Sequence, residues 1–389
     1  MVSLTPLLLL LAFGVVATAA WLLGRRSAKA RAVRLPRDYY LGLDHLINDR
    51  FDRATEVFAR MAERDGDAAE IQFALGSLFR RRGEVDRAIA IHTRLKEAGA
   101  PAVREEAAYA LALDHMSAGL MDSAERLLEE IAESRQYRSA ALGQLVRLYE
   151  QQGDWANALR VHQQLGPPER EARRRAAAHY LCELAEHALS HGEPDRASEL
   201  AAQAHAQEPD LPRAELLAAR IAERAGDAAT ARARYLDVLA RSPQLALEIV
   251  PRVLGLPAGE SRTQALDELA TQLARRAGMS PRQVAWLLVT AVPPEDADAA
   301  GRLADRLFGA GAGGEAQALG AVLARIGDAG GRYSCGECGL ASARWYWHCP
   351  KCREWDCLEP AVFKWAGRAD VSNRTDTVDS RIGTSDRAA

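Results

Sequence analysis

Leu75-Gly76-Ser77-Leu78-Phe79-Arg80-Arg81-Arg82-Gly83-Glu84-Val85-Asp86-Arg87-Ala88-Ile89-Ala90-Ile91-His92 contains two apolar segments of helical period with a turn between them. Gly83 stands five residues before Ala88, inside that turn. A positive φ is most useful there, and glycine adopts it without a steric penalty. Gly76 stands twelve residues before Ala88. Counting along a helix puts it where the first helix must come close to the second, so a small residue is needed.

The same frame runs on in both directions. Ala54, Ala88, Ala124, Ala158, Ala197 and Ala231 are separated by 34, 36, 34, 39 and 34 residues. Leu41-Gly42 precedes Ala54 as Leu75-Gly76 precedes Ala88, and Phe58 and Tyr235 follow their alanines by four on the same helix face. Gly83, Gly119, Gly153, Gly192 and Gly226 all fall five residues before an alanine. Pro209 and Pro243 fall twelve after one, where a second helix must end. The long step is explained by Pro167-Pro168, which marks a lengthened connection. A period of 34 with these features is that of the tetratricopeptide repeat. An alanine-rich bundle would also give amphipathic helices, but it has no reason to hold small residues, turn glycines and prolines in one frame. The expected fold is therefore all-α, a superhelical solenoid of tetratricopeptide repeats over residues 38–250. Its concave face would hold a segment of a partner. No catalytic chemistry follows from such a fold.

Past Pro251 the frame decays, although Ala265 keeps a 34-residue step from Ala231. Helical patterns persist at Thr263–Ala277, Pro281–Ala291, Ala297–Leu307 and Glu315–Ile326, so residues 251–329 read as degenerate or capping repeats. Gly309–Gly314 and Gly327–Gly331 are breaks, the second a hinge to a last domain.

Composition agrees with this reading. Aromatics make up 6% of the 389 residues, few for an all-β fold, while a hydrophobic share of 48% excludes a wholly disordered chain. The net charge of −3, from 50 basic and 53 acidic residues, leaves no global footprint for nucleic acid.

Val2 to Gly24 carries no charged residue. As a helix it would be roughly 35 Å long, enough to cross a bilayer. Arg25, Arg26, Lys29, Arg31, Arg34 and Arg37 follow before the first acid, Asp38, and Trp21 suits the interface. Such a cluster holds the carboxyl side in the cytoplasm. Residues 1–24 are thus expected to be a transmembrane anchor and 25–37 a basic juxtamembrane linker beside the lipid. A cleaved signal peptide fits less well, because a basic segment before the apolar run is missing.

Five of the six cysteines lie within the last 55 residues. Cys335-Gly-Glu-Cys338-Gly339 and Cys349-Pro350-Lys351-Cys352 are two C-x2-C loops, a spacing that places four thiolates around one ion. Four sulfur ligands select zinc or iron. Zinc is preferred here because no flavin or nicotinamide motif accompanies a redox role. A closed four-cysteine shell leaves no open position for hydrolysis. Trp345, Trp347, Trp355 and Trp365 crowd the same region, and so small a domain, residues 330–365, needs metal and aromatics together to be stable. His348 is a spare ligand to an already complete shell. Cys357 reads as a packed thiol, and Cys182, alone in a helical pattern, as a small core residue.

Weaker patterns have bland readings. His179, Glu183, His187 and His191 are spaced by four and read as one solvated helix face rather than a metal pair. Arg170 and Arg173–Arg175 form an exposed basic turn, open to acidic lipid or a partner. Residues 366–389 read as a disordered tail. No P-loop, dinucleotide fingerprint or nucleophile elbow occurs.

With Tyr39-Tyr40-Leu41-Gly42-Leu43-Asp44-His45-Leu46-Ile47-Asn48-Asp49 near the start and Tyr346-Trp347-His348-Cys349-Pro350-Lys351-Cys352 near the end, the chain resembles the lipopolysaccharide assembly protein B family. The resemblance extends to about residue 365 and implies a membrane anchor, tetratricopeptide repeats and a rubredoxin-like metal domain. It implies Cys335, Cys338, Cys349 and Cys352 as ligands of one zinc or iron. It also implies a regulator at the cytoplasmic face of the bacterial inner membrane, single-pass with a periplasmic amino terminus. Such a regulator works with other lipopolysaccharide assembly proteins and the membrane protease FtsH to promote proteolysis of the lipid A-committing deacetylase. It is an adaptor rather than an enzyme. The alternatives are an iron-containing electron-transfer protein and a generic membrane-bound scaffold for envelope assembly.

Overall fold

A computed structural model describes residues 37–48, 50–64, 69–257, 262–277, 284, 287–289, 291–293, 296–308 and 331–360. The expected anchor, most of the basic linker, the Glu315–Ile326 helix and the tail lie outside these residues. No helix among the described residues is long and apolar enough to cross a membrane. The chain divides into two compact units, residues 1–148 and 149–389.

The first unit is a run of helix pairs. Helices α1 (Arg37–Ile47) and α2 (Phe51–Arg64), α3 (Ala69–Arg81) and α4 (Val85–Ala98), and α5 (Pro101–Ser117) and α6 (Met121–Ala132) follow the 34-residue frame. Helix α7 (Arg138–Gln152) crosses the unit boundary. Gly83 and Gly119 turn between paired helices at φ 79° and 76°. Gly42 and Gly76 are required for a different reason, close approach. A Cβ on Gly42 would stand 2.7 Å from the Phe58 ring, and one on Gly76 would overlap the His92 imidazole. Behind Gly76 lies a buried polar node joining three helices. Asp114 of α5 accepts from Arg80 of α3 at 2.7 Å and pairs with His92 Nδ1 of α4. Burial makes such a node costly unless its members satisfy one another.

The second unit continues with α8 (Trp155–His162), α9 (Pro167–Ala172), α10 (Arg174–Ser190), α11 (Pro194–Gln207), α12 (Pro212–Arg224) and α13 (Ala228–Arg241). A 3-10 turn (Pro243–Leu245) leads to α14 (Ala246–Gly255), α15 (Arg262–Ala277) and α16 (Ala297–Phe308). All six frame alanines are fully buried, and each is the fourth residue of its helix. Asp154 and Asp227 cap α8 and α13 by accepting from the amides of Asn157 and Thr230, which satisfies donors that a helix start leaves free. The expected lengthened connection at Pro167-Pro168 is itself a short helix, α9, with prolines in its first turn, where their missing N–H costs nothing. Helix α14 runs through Pro251, so the repeat frame changes inside a helix and not at its end.

After the helices comes a small antiparallel sheet in the order β2-β1-β3: β1 (Tyr333–Cys335), β2 (Ala341–Ser342) and β3 (Leu358–Pro360). The central strand pairs Tyr333 with Ser342 on one side and Cys335 with Leu358 on the other.

Candidate metal centre

The two C-x2-C loops are shaped by main-chain bonds before any metal is considered. In the first, the Gly339 amide donates to the Cys335 carbonyl, and the Cys335 amide donates to Leu340 O. Gly339 has φ 70° with open space around a would-be Cβ, so the backbone conformation and not crowding calls for glycine. The Cys338 amide points at Cys335 Sγ, 3.4 Å away. The second loop closes through two bonds at Cys349, whose amide donates to Glu354 O and whose carbonyl accepts from Arg353 N. Arg353 and Asp356 take positive φ of 62° and 55°, which tightens the return toward β3.

These turns gather five sulfurs. Cys335 lies 3.6 Å from Cys352, and Cys338 lies 3.7 Å from Cys349. Four thiolates held tetrahedrally at the usual zinc–sulfur distance stand about 3.8 Å apart, so these contacts fit the donor set to an ion. The Sγ atoms of Cys335, Cys349, Cys352 and Cys357 all lie within 4.8 Å of one another. Cys357, expected as a packed thiol, does pack in the ribbon, and its sulfur lies 3.5 Å from Cys335. The physical reason is the pairing of β3 with β1, a long-range feature that spacing along the chain does not contain.

Burial opposes ionisation of Cys335, yet the Cys338 amide and the Cys357 thiol prevail and bring it down to about 6. Cys349 is lowered in the same way by the amides of Cys352 and Lys351, against its own burial. Amides aimed at sulfur prepare thiolates for a cation. Outside the cluster, His348 is committed elsewhere: Nε2 pairs with Arg353 O, and the ring stacks on Trp355 at 4.4 Å.

The ribbon is seated on helices of its own unit. Asp356 Oδ2 accepts from Arg175 Nε at 2.6 Å and pairs with His179 Nε2 at 2.9 Å. Trp355 lies between two imidazoles, His179 at 4.5 Å and His348 at 4.4 Å, both nearly parallel to it. Its indole N–H and the Tyr180 hydroxyl both donate to Glu150 Oε1. Tyr333 donates to Glu248 of α14 at 2.7 Å, and the Arg213 guanidinium lies 5.6 Å from the Trp347 ring. Arg213 is itself almost wholly buried and is neutralised by Glu183 and Glu186. Each aromatic contact of this kind is worth about 0.5–1.5 kcal/mol beyond the area it buries.

One expectation from sequence is corrected by the burial of the helix beneath the ribbon. His179 is not on a solvated face; it is fully buried beneath the ribbon. Only His187 and His191 of that series are exposed, stacked on one another at 4.1 Å. The basic turn is exposed at Arg170 and Arg175 as expected, and three of its side chains also have partners within the protein: Arg170 donates to Leu165 O, Arg174 to Gln207 O, and Arg175 to Asp356. The surface that covers His179 comes from far along the chain. Burial pushes His179 below its ordinary range; Asp356 opposes this, and the Arg213 and Arg175 charges reinforce it. A neutral ring donating from Nε2 to Asp356, with Nδ1 facing Arg213, fits the geometry. Cys182 is buried as expected, and burial raises its thiol to about 12.

Comparison with known proteins places the chain. The rubredoxin metal-binding domain family matches residues 333–360, and the tetratricopeptide repeat family matches residues 73–105 and 141–174. Lipopolysaccharide assembly protein B of Escherichia coli K12 is 30% identical over 380 residues, covering 91% of this chain and 97% of that protein. The chain belongs to the lipopolysaccharide assembly protein B family. The Haemophilus influenzae member is 26% identical over 390 residues, covering 91% of this chain and 98% of that one. Among solved structures, part of a tetratricopeptide protein of Cytophaga hutchinsonii matches with a TM-score of 0.41 at 13% identity, over 72% of this chain and 98% of that one. As a family member, the chain joins tetratricopeptide helix pairs to a cysteine-rich ribbon. Asp356, Trp355, Arg213 and Glu150, which hold the ribbon in place, carry no signal in the sequence beyond the local crowding of tryptophans.

Proposed function

We propose that this protein is a membrane-anchored adaptor that regulates lipopolysaccharide synthesis from the cytoplasmic face of the inner membrane. In this reading Val2–Gly24 is the anchor, and it raises the effective concentration of the repeats for partners in the same membrane. The repeats present a binding face. One zinc ion, held by Cys335, Cys338, Cys349 and Cys352, fixes the ribbon. The partners are the protease FtsH and the lipid A-committing deacetylase, whose degradation the adaptor promotes.

The observation that carries this reading is full-length relationship to lipopolysaccharide assembly protein B, together with a ribbon seated on repeat helices through Asp356 and Trp355. A ribbon held this way serves as a structural brace for the repeats and not as a free electron carrier, and that favours zinc over iron. The direct test follows deacetylase decay after translation is blocked, with and without this protein. A clearly longer lifetime in its absence is expected. An unchanged lifetime would reduce the function to a generic envelope scaffold. Colourless purified protein holding one zinc is expected, whereas a red, sulfur-to-iron absorbing protein would favour electron transfer.

A further inference from the structure

The metal centre holds one thiol more than a tetrahedral ion needs, and the fifth is not loosely placed. Cys357 directly precedes β3, and the pairing of Cys335 with Leu358 fixes it beside the first knuckle. The Gly336 amide donates to Cys357 O at 2.7 Å, which pins the main chain there. Its sulfur stands 3.5 Å from Cys335 and 3.2 Å from Glu354 O. Cys335 and Cys349 are buried at the heart of the cluster, while Cys338, Cys352 and Cys357 are half-buried around them. Two sets of four thiols therefore overlap: the two knuckles, and the group Cys335, Cys349, Cys352 and Cys357, whose sulfurs are mutually within 4.8 Å. The sets share three members and differ only in Cys338 against Cys357.

We infer that Cys357 is a reserve ligand of the metal centre, able to take the place of Cys338 without loss of four-sulfur coordination. In the exchange the Cys357 sulfur gives up its proton and bonds the ion as the Cys338–metal bond breaks. The departing Cys338 thiolate takes up a proton from solvent, so the charge of the site and its oxidation state are unchanged. The inference rests on the four-sulfur reading of the site. The consequence is a centre that survives alkylation or oxidation of its half-exposed Cys338.

The test uses the full-length chain loaded with cobalt(II), whose thiolate charge-transfer absorption reports the number of sulfur ligands. Wild type that binds no metal would sink the metal-centre reading itself. Given binding, Cys338→Ser is expected to keep one cobalt per chain with the full four-thiolate intensity. Cys338→Ser/Cys357→Ser is expected to lose about a quarter of it, three thiolates remaining of four. Identical spectra for the single and double variants, or a single variant that holds no cobalt, would overturn the inference. A second measurement needs no variant. Zinc-loaded wild type treated with iodoacetamide should carry label on Cys338 in some molecules and on Cys357 in others while keeping its zinc. Label confined to Cys357, or on neither residue, would overturn the inference.

Discussion

The first and second units use the same repeat, but they secure it differently. In the first, the polar node of Arg80, Asp114 and His92 is contributed entirely by α3, α4 and α5, residues one repeat apart. In the second, a buried imidazole at a different place in the repeat, His179 of α10, is completed by Asp356, 177 residues further on. A repeat can thus finish its own buried polar groups locally, or it can leave them for a distant module to satisfy. The second arrangement couples the state of that module to the helices beneath it. We read the cysteine ribbon as such a module, with the metal as its condition for folding.

The largest expected effect follows from removing that condition. Cys349→Ser, at a fully buried sulfur common to both four-thiol sets, should weaken metal binding strongly and lower the stability of the second unit by about 4 kcal/mol or more. That corresponds to roughly 8–16 °C in a calorimetric transition for a unit of this size. The first unit should melt as before, and equal losses in both transitions would break the contrast. Next in size is Gly76→Ala, whose new methyl group meets the His92 ring. It should cost the first unit about 1–3 kcal/mol, with bound metal unchanged by elemental analysis. Loss of metal in this variant would contradict the independence of the node.

Asp356→Asn sharpens the comparison from the other side. It keeps the shape but removes the charge that meets Arg175 and His179, and should cost about 1–2 kcal/mol in chemical denaturation of the second unit. Metal content should be retained, because Asp356 is not part of the thiol cluster.

The smallest effect is on pH. His179 is depressed in the folded protein, chiefly by burial, so the unfolded chain takes up the proton first. Its contribution is complete above about pH 6.5 and declines as the pH falls from there. Asp356 is also depressed, its burial outweighed by His179 and Arg175, so its contribution persists until the pH falls below about 4. Denaturant midpoints of the second unit should therefore drop modestly between pH 7.5 and pH 5.5. His179→Gln should flatten that drop. A drop of the same size in the variant would assign it to another group.

Much of the helical architecture was legible because its signals are local. Gly83, Ala88 and Gly76 report a turn, a buried fourth residue and a close approach within eighteen residues of chain. The C-x2-C loops were legible for the same reason. What escaped was everything that depends on separate segments meeting. A buried His179 and an exposed one have the same spacing, and nothing near Arg175 announces a carboxylate from the ribbon. The place of Cys357 beside Cys335 was not legible, because strand pairing and not a motif sets it. Even there the crowding of Trp345, Trp347 and Trp355 gave a clue, since so many large rings in a small ribbon need a surface to cover.

Metal, ribbon and the helices under it are expected to form one cooperative body within the second unit. Amide hydrogen exchange on the full chain, metal-loaded and metal-stripped, tests it most directly. Stripping should speed exchange in β1 and in α10 around His179 while α3 and α4 keep their protection. Unchanged protection of α10 after the metal has left would contradict it.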